Sequence, residues 1–131
     1  MSNLTYENFQ VAVEEYLIRH KSILDIMTKI QESSSRVNRA LAKTVTECGC
    51  MEINAKRQTF PEDVSLSDLR KFMDSQIYGD LCQDCKETLE REIGQLFFYL
   101  TALCSVLGLD INEIIQKNFQ RINTLGIFNL T

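Results

Sequence analysis

A chain of 131 residues, 44% hydrophobic and 24% charged, has the size and composition of one compact domain, and its single Pro and five Gly leave few helix breakers. With 14 Lys and Arg against 18 Asp and Glu, a formal net charge of -4 and a pI near 5.0, it opposes nucleic-acid binding, which depends on a basic patch releasing counterions from phosphates. No basic-then-apolar leader is visible, and the uncharged run from Gly94 to Leu107 is shorter than the about 20 residues that span a bilayer, so the expectation is a cytoplasmic protein with neither nucleic acid nor membrane as partner.

The pattern predicts an all-α fold: a helical bundle with a long N-terminal helix or helix pair, a four-cysteine clip and a C-terminal helical hairpin, all in one domain over 1–131 with 48–85 as a clipped insert. From Tyr6 to Thr46 there is no Gly or Pro, and Phe9, Val13, Tyr16, Leu17, Ile23, Met27, Ile30, Val37, Leu41 and Val45 recur at helical spacing. Ser22 with Asp25 has the form of a capping box, yet the apolar stripe runs through it in phase, which favours one long or gently interrupted helix over two. Ser33, Ser34 and Ser35 stand where better helix formers would be expected. They suit either an exposed polar face or a close-packed, ligand-facing wall.

Cys48-Gly49-Cys50 stops this helix, with Gly49 free to turn left-handed. Met51 to Asp63 reads as irregular, with a short extended piece at Met51 to Ala55. Ser65 and Asp68 form a second capping box before Leu66, Leu69, Phe72, Met73 and Ile77, predicting an amphipathic helix of about three turns stopped by Gly79. Asp84 with Glu87 is expected to cap a central helix that ends at Gly108. Asp110 with Glu113 opens a last helix, ending near Gly126. The remaining tail, with Ile127, Phe128 and Leu130, is apolar enough to pack on its own chain or a partner.

Five cysteines with no export signal are more readily metal ligands or buried thiols than a disulfide framework. Cys48 and Cys50 form a C-x-C arm and Cys82 and Cys85 a C-x-x-C arm. Four thiolates at about 2.3 Å suit a closed tetrahedral structural zinc site, with Gly49 absorbing the strain of the shorter arm. A C-x-x-C redox pair, an iron–sulfur cluster and plain buried thiols remain alternatives, the first weakened because no strand is predicted before Cys82. Cys104, on the apolar helix, is expected in the core. His20 is the only histidine, which removes mechanisms needing two, and neither a G-x-S-x-G elbow nor a Gly-rich phosphate loop is present.

On the central helix Leu89, Ile93, Leu96, Leu100, Leu103 and Leu107 make one apolar face and Phe98, Ala102 and Val106 the opposite one. A helix apolar on both faces needs cover on both, and with so few other elements the economical cover is a second copy, hence a homodimer.

Glu92-Ile93-Gly94-Gln95 followed by Leu96, Phe97, Phe98, Tyr99 and Leu100 resembles the second metal-binding motif of the all-α nucleoside triphosphate pyrophosphohydrolase superfamily, the MazG-like proteins, with Gln95 where that motif has Asp. Lys29-Ile30-Gln31-Glu32 through Ser35 is similar to the first motif, with Ser35 at its final Glu. Leu107-Gly108-Leu109-Asp110, then Lys117, Asn118 and Arg121, is similar to the last helix and its phosphate-facing end. The resemblance implies Glu32 and Glu92 as catalytic carboxylates holding magnesium, and Gln95, Lys117, Asn118 and Arg121 as nucleotide or phosphate contacts. With two acids replaced by Ser35 and Gln95, it implies a degenerate site in an interaction or nucleotide-sensing module. An active nucleoside triphosphate pyrophosphohydrolase is the alternative, and a thiol redox sensor a further one.

Overall fold

The computed structural model describes residues 4–126. Among these the chain is mostly helical, with α1 (Tyr6–Tyr16), α2 (Ile23–Lys43), α3 (Gln83–Leu107) and α4 (Ile111–Leu125), plus two short strands, β1 (Met51–Ile53) and β2 (Ile77–Gly79). The all-α expectation thus holds for the helices and gives way at a small sheet. The apolar tail of Ile127, Phe128 and Leu130 lies outside the described residues.

The N-terminal stretch is a helix pair rather than one long helix. α1 ends where Leu17 turns extended (ψ 92°), and Ser22 opens α2 by accepting the Leu24 N–H at 3.3 Å. The apolar stripe keeps its phase across the break because both helices face the same core. Val13 and Leu17 before the break, Ile26 after it and Ala102 of α3 form one buried cluster. In-phase periodicity therefore did not distinguish a straight helix from a folded pair, and the local cap decided.

α2 and α3 pack along their lengths as the main helix pair. Ser33, 2% exposed, sits at that contact, whereas Ser34 and Ser35 are exposed, so the serine run is one close-packed residue and two solvated ones. α2 runs into a π-helical turn, Thr44–Cys48, closed by Gly49 at φ 80° with its N–H donating to the Thr44 carbonyl at 2.9 Å. β1 and β2 then pair antiparallel, Met51 opposite Gly79 and Ile53 opposite Ile77. Gly79, at φ 103°, belongs to this hairpin instead of stopping a helix, and a Cβ there would come within 2.4 Å of the Cys50 carbonyl oxygen.

Between the strands the expected three-turn helix is absent. The Ser65–Asp68 box forms, with Asp68 N–H donating to Ser65 Oγ at 3.3 Å, but only a single 3-10 turn, Leu69–Lys71, follows. Leu66, Phe72 and Met73 remain 55%, 44% and 46% exposed. With no core to cover it, a short segment does not recover the entropy of helix nucleation. The loop is closed by side chains instead, Gln58 bonding both the Asp74 carbonyl (2.8 Å) and N–H (3.1 Å).

α3 begins two residues earlier than expected, with Cys82 rather than Asp84 as its N-cap, and ends at Gly108 in the left-handed conformation (φ 72°). Cys104 is buried, as expected. The faces differ from expectation: Ala102 is fully buried, while Ile93, Leu100 and Leu107 stay exposed. α4 turns away at 108° and is capped by Asp110, which accepts from Asn112 and Glu113 N–H groups. Gln10 of α1 fastens that corner, donating to the Leu109 carbonyl (2.9 Å) and Ser105 Oγ (3.2 Å) and accepting from Ile111 N–H (3.0 Å). Among the described residues no single helix is long and apolar enough to cross a membrane.

Candidate metal centre and the charged cavity beside it

The two cysteine arms, distant in sequence, meet where α2 ends and α3 begins. The π-helical turn and Gly49 carry Cys48 and Cys50 to one side of the junction, and the return of β2 delivers Cys82 and Cys85 to the other. All four Sγ atoms lie within 4.8 Å of one another, with Cys48 and Cys82 sulfurs 3.7 Å apart and no disulfide among them. The set can hold a metal ion.

Its electrostatics favour one. The Cys85 backbone N–H, donating to Cys82 Sγ at 3.4 Å, and the neighbouring Cys85 and Cys48 thiols lower the Cys82 pKa, whereas hydrogen bonding to Cys82 and burial push Cys85 far up. The cluster thus biases Cys82 toward the thiolate and Cys85 toward the thiol. A divalent ion removes the mutual repulsion and lets all four sulfurs ionise. A strand does precede Cys82, contrary to expectation, but it belongs to an antiparallel hairpin rather than the parallel βαβ unit of thioredoxin-like redox proteins.

Further along the α2–α3 contact is a cavity of about 240 Å³ lined by Lys29, Glu32, Arg36, Arg91, Glu92 and Gln95. Glu32, Glu92 and Gln95, singled out in the sequence, are therefore brought together. Ser35 does not line it, and the serine at its wall is Ser33. Lys117, Asn118 and Arg121 are exposed on α4, and none of them lines this cavity.

Sequence reasoning missed Arg36 and Arg91. Arg36 grips Glu92 as a fork, Nε to Oε2 at 2.9 Å and Nη2 to Oε1 at 3.3 Å, and its other nitrogen lies 3.9 Å from Glu32. Lys29 holds Glu32 at 3.1 Å. Lys29, Glu32 and Arg36 share a helix face, a signal present in the spacing, but the long-range partner Glu92 is not visible there. The Arg36 hydrogen bond, assisted by the charges of Arg36 and Arg91, holds the Glu92 carboxyl below its usual range against the opposing effect of burial. His20 sits at the rim of α2, 3.9 Å from Asp25 and edge-on to Tyr99 at 6.3 Å.

Because the folded state depresses the Glu92 pKa, the stabilisation is fully present above the unfolded value, about 4.3, and is lost as pH falls through the lower folded value. Arg36→Ala is expected to destabilise the protein at pH 7, by less than the loss of one partner of a fully buried pair because Arg36 is largely solvated. Urea unfolding of both proteins from pH 7 down to pH 3 checks it. The gap should narrow at the acid end, and a gap independent of pH would detach the effect from Glu92. Comparison with protein-family models, curated proteins and solved structures finds no match for this chain.

Proposed function

We propose that the chain is a zinc-stapled helical homodimer of MazG-like kind whose α2–α3 cavity binds an anionic, nucleotide-like ligand without hydrolysing it. The observation that carries this reading is the Arg36 fork on Glu92. Both oxygens of the central carboxylate are already engaged by a guanidinium. Magnesium wants near-octahedral oxygen ligation, and Glu32, held by Lys29, with the neutral Gln95 makes a poor set for it. Three cations against two carboxylates suit an anion better than a metal.

Zinc is the metal that fits the thiol cluster. Four sulfurs at about 2.3 Å from a tetrahedral centre are about 3.8 Å apart, close to the Cys48–Cys82 separation of 3.7 Å. Such an ion has no open position and acts as a staple. The free thiols suit a reducing compartment such as the cytoplasm.

A second copy is supported by surface area. The chain exposes 10398 Å², against about 7,100 Å² for a folded monomer of its mass. The excess is of the order that obligate dimers bury. Phe97 (58% exposed) and Leu100 (37%) open into an apolar groove of about 850 Å³ between α1, α3 and α4, and α4 has no buried residue of its own.

The alternative, an active pyrophosphohydrolase, draws on the convergence of Glu32 and Glu92 in one cavity. Pyrophosphate release with magnesium across a nucleotide panel is expected to stay at background; turnover abolished by Glu92→Ala and by Glu32→Ala would establish the enzyme. Protein purified without added zinc is expected to carry about one zinc per chain by elemental analysis. A metal-free sample with a Cys82–Cys85 disulfide would favour the redox sensor instead. Light scattering is expected to give twice the 15.1 kDa chain mass, falling to the single mass in Phe97→Asp. A wild-type monomer at micromolar concentration contradicts the dimer.

A further inference from the structure

The helix α4 is anchored at one end only. Ile111, Asn112 and Ile115 of its first turns wall the apolar groove with Phe97 and Leu100 of α3 and Phe9 of α1, whereas every residue from Gln116 to Leu125 is exposed. Ile111, Ile115, Phe119 and Ile122 recur at helical spacing, so the stripe that faces the groove continues along the uncovered half. A helix of this length is marginal in water when nothing covers its apolar face. Its own groove cannot cover it: along a straight helix Phe119 lies about 6 Å and Leu125 about 15 Å past Ile115, the last α4 residue that walls the groove.

We propose that α4 is an exchanged arm: in a two-fold dimer its exposed half, with Phe119, Ile122 and Leu125, lies in the groove of a second copy, whose arm fills the first chain's groove in return. The inference rests on the reading of the chain as a homodimer and names the surfaces that meet. One chain carries both halves of the contact, an open apolar groove of about 850 Å³ and an amphipathic helix with no buried residue, as helix-in-groove recognition in an isologous interface requires. The charges are complementary. α1, whose start walls the groove, carries Glu7, Glu14 and Glu15 with no Lys or Arg from Tyr6 to Tyr16, while the arm beyond Glu113 carries Lys117 and Arg121 with no acid. The area is sufficient as well. The chain's 10398 Å² exceeds the surface of a folded monomer of this mass by roughly 3,300 Å², more than the roughly 1,600 Å² of a standard interface, which leaves room for two groove–arm contacts.

Light scattering on the zinc-loaded full chain tests this with one variant of each half. Phe119→Asp, at a side chain 64% exposed, alters the arm, and Phe97→Asp, at one 58% exposed, alters the groove; each is expected to be a folded, zinc-containing monomer. Mixed in equal amounts the two are expected to form a dimer again, at least about tenfold weaker than wild type, because the mixed pair keeps one intact groove facing one intact arm. Phe128→Asp, in the C-terminal segment, is expected to leave the dimer unchanged. A Phe119→Asp chain that dimerises like wild type, or a mixture that stays monomeric, overturns the exchange and leaves the homodimer standing. So does a dimer lost in Phe128→Asp and kept in Phe119→Asp, which gives the groove to the C-terminal segment instead. A wild-type monomer, with or without an apolar small molecule retained in native mass spectrometry, removes the homodimer as well.

Discussion

Everything in the fold hangs on the point where α2 ends and α3 begins. The four thiols gather there, and from there the two longest helices run back alongside each other in opposite directions. Antiparallel packing from a fixed junction sets the register. Arg36 and Glu92 lie at comparable distances from the junction, about 15–18 Å along their helices, and Ile26 and Ala102 nearly three turns, about 15 Å, beyond. The cysteine cluster determines which side chain of α2 faces which of α3, and so builds the charged cavity from a distance.

The interior along that contact is small and partly polar. Ser33, Thr44 and Thr101 are 2%, 1% and 2% exposed, and no buried polar atom lacks a partner among the described residues. Small side chains let the α2 and α3 backbones approach, with Thr44 returning its hydroxyl to the Leu41 carbonyl at 2.6 Å. What such a core gives up is apolar burial. Tyr6, Phe97, Leu107, Phe119 and Leu125 keep about half or more of their surface exposed, which leaves an apolar surface larger than single scattered side chains.

Features written into a few adjacent residues were legible in the sequence. Gly49 and Gly108 take the left-handed conformation, and Ser22 and Asp110 cap their helices, because each depends only on local backbone geometry. The pairing of C-x-C with C-x-x-C was legible because chemistry constrains it. Burial was harder. Residues 66–77 have a helical pattern and form no helix, since the pattern says which face would be buried and nothing about whether anything covers it. The same gap left open which of the two apolar faces of α3 the chain itself covers: Leu100 and Ala102 are both apolar, but only Ala102 has a neighbour across the contact. In the cavity, Glu92 was found from its motif, while Arg36, which determines what that carboxylate can do, was masked by its lying on another helix.

That arginine changes the kind of ligand the cavity can accept. Two acids facing each other across a helix pair repel, and the usual relief is a divalent cation. Here Arg36 and Lys29 supply the relief from within the chain, so the acids are satisfied before any ligand arrives. The two partners of the central pair are unequal: the Glu92 side chain is 11% exposed and that of Arg36 58%. Glu92 is held by packing and by the nearby charge of Arg91, whereas Arg36 reaches in from the solvent side. Releasing Arg36 would leave a buried carboxylate uncompensated, so the fork is costly to open. This turns attention to Arg91, the cation of the cavity that makes no ion pair among the described residues.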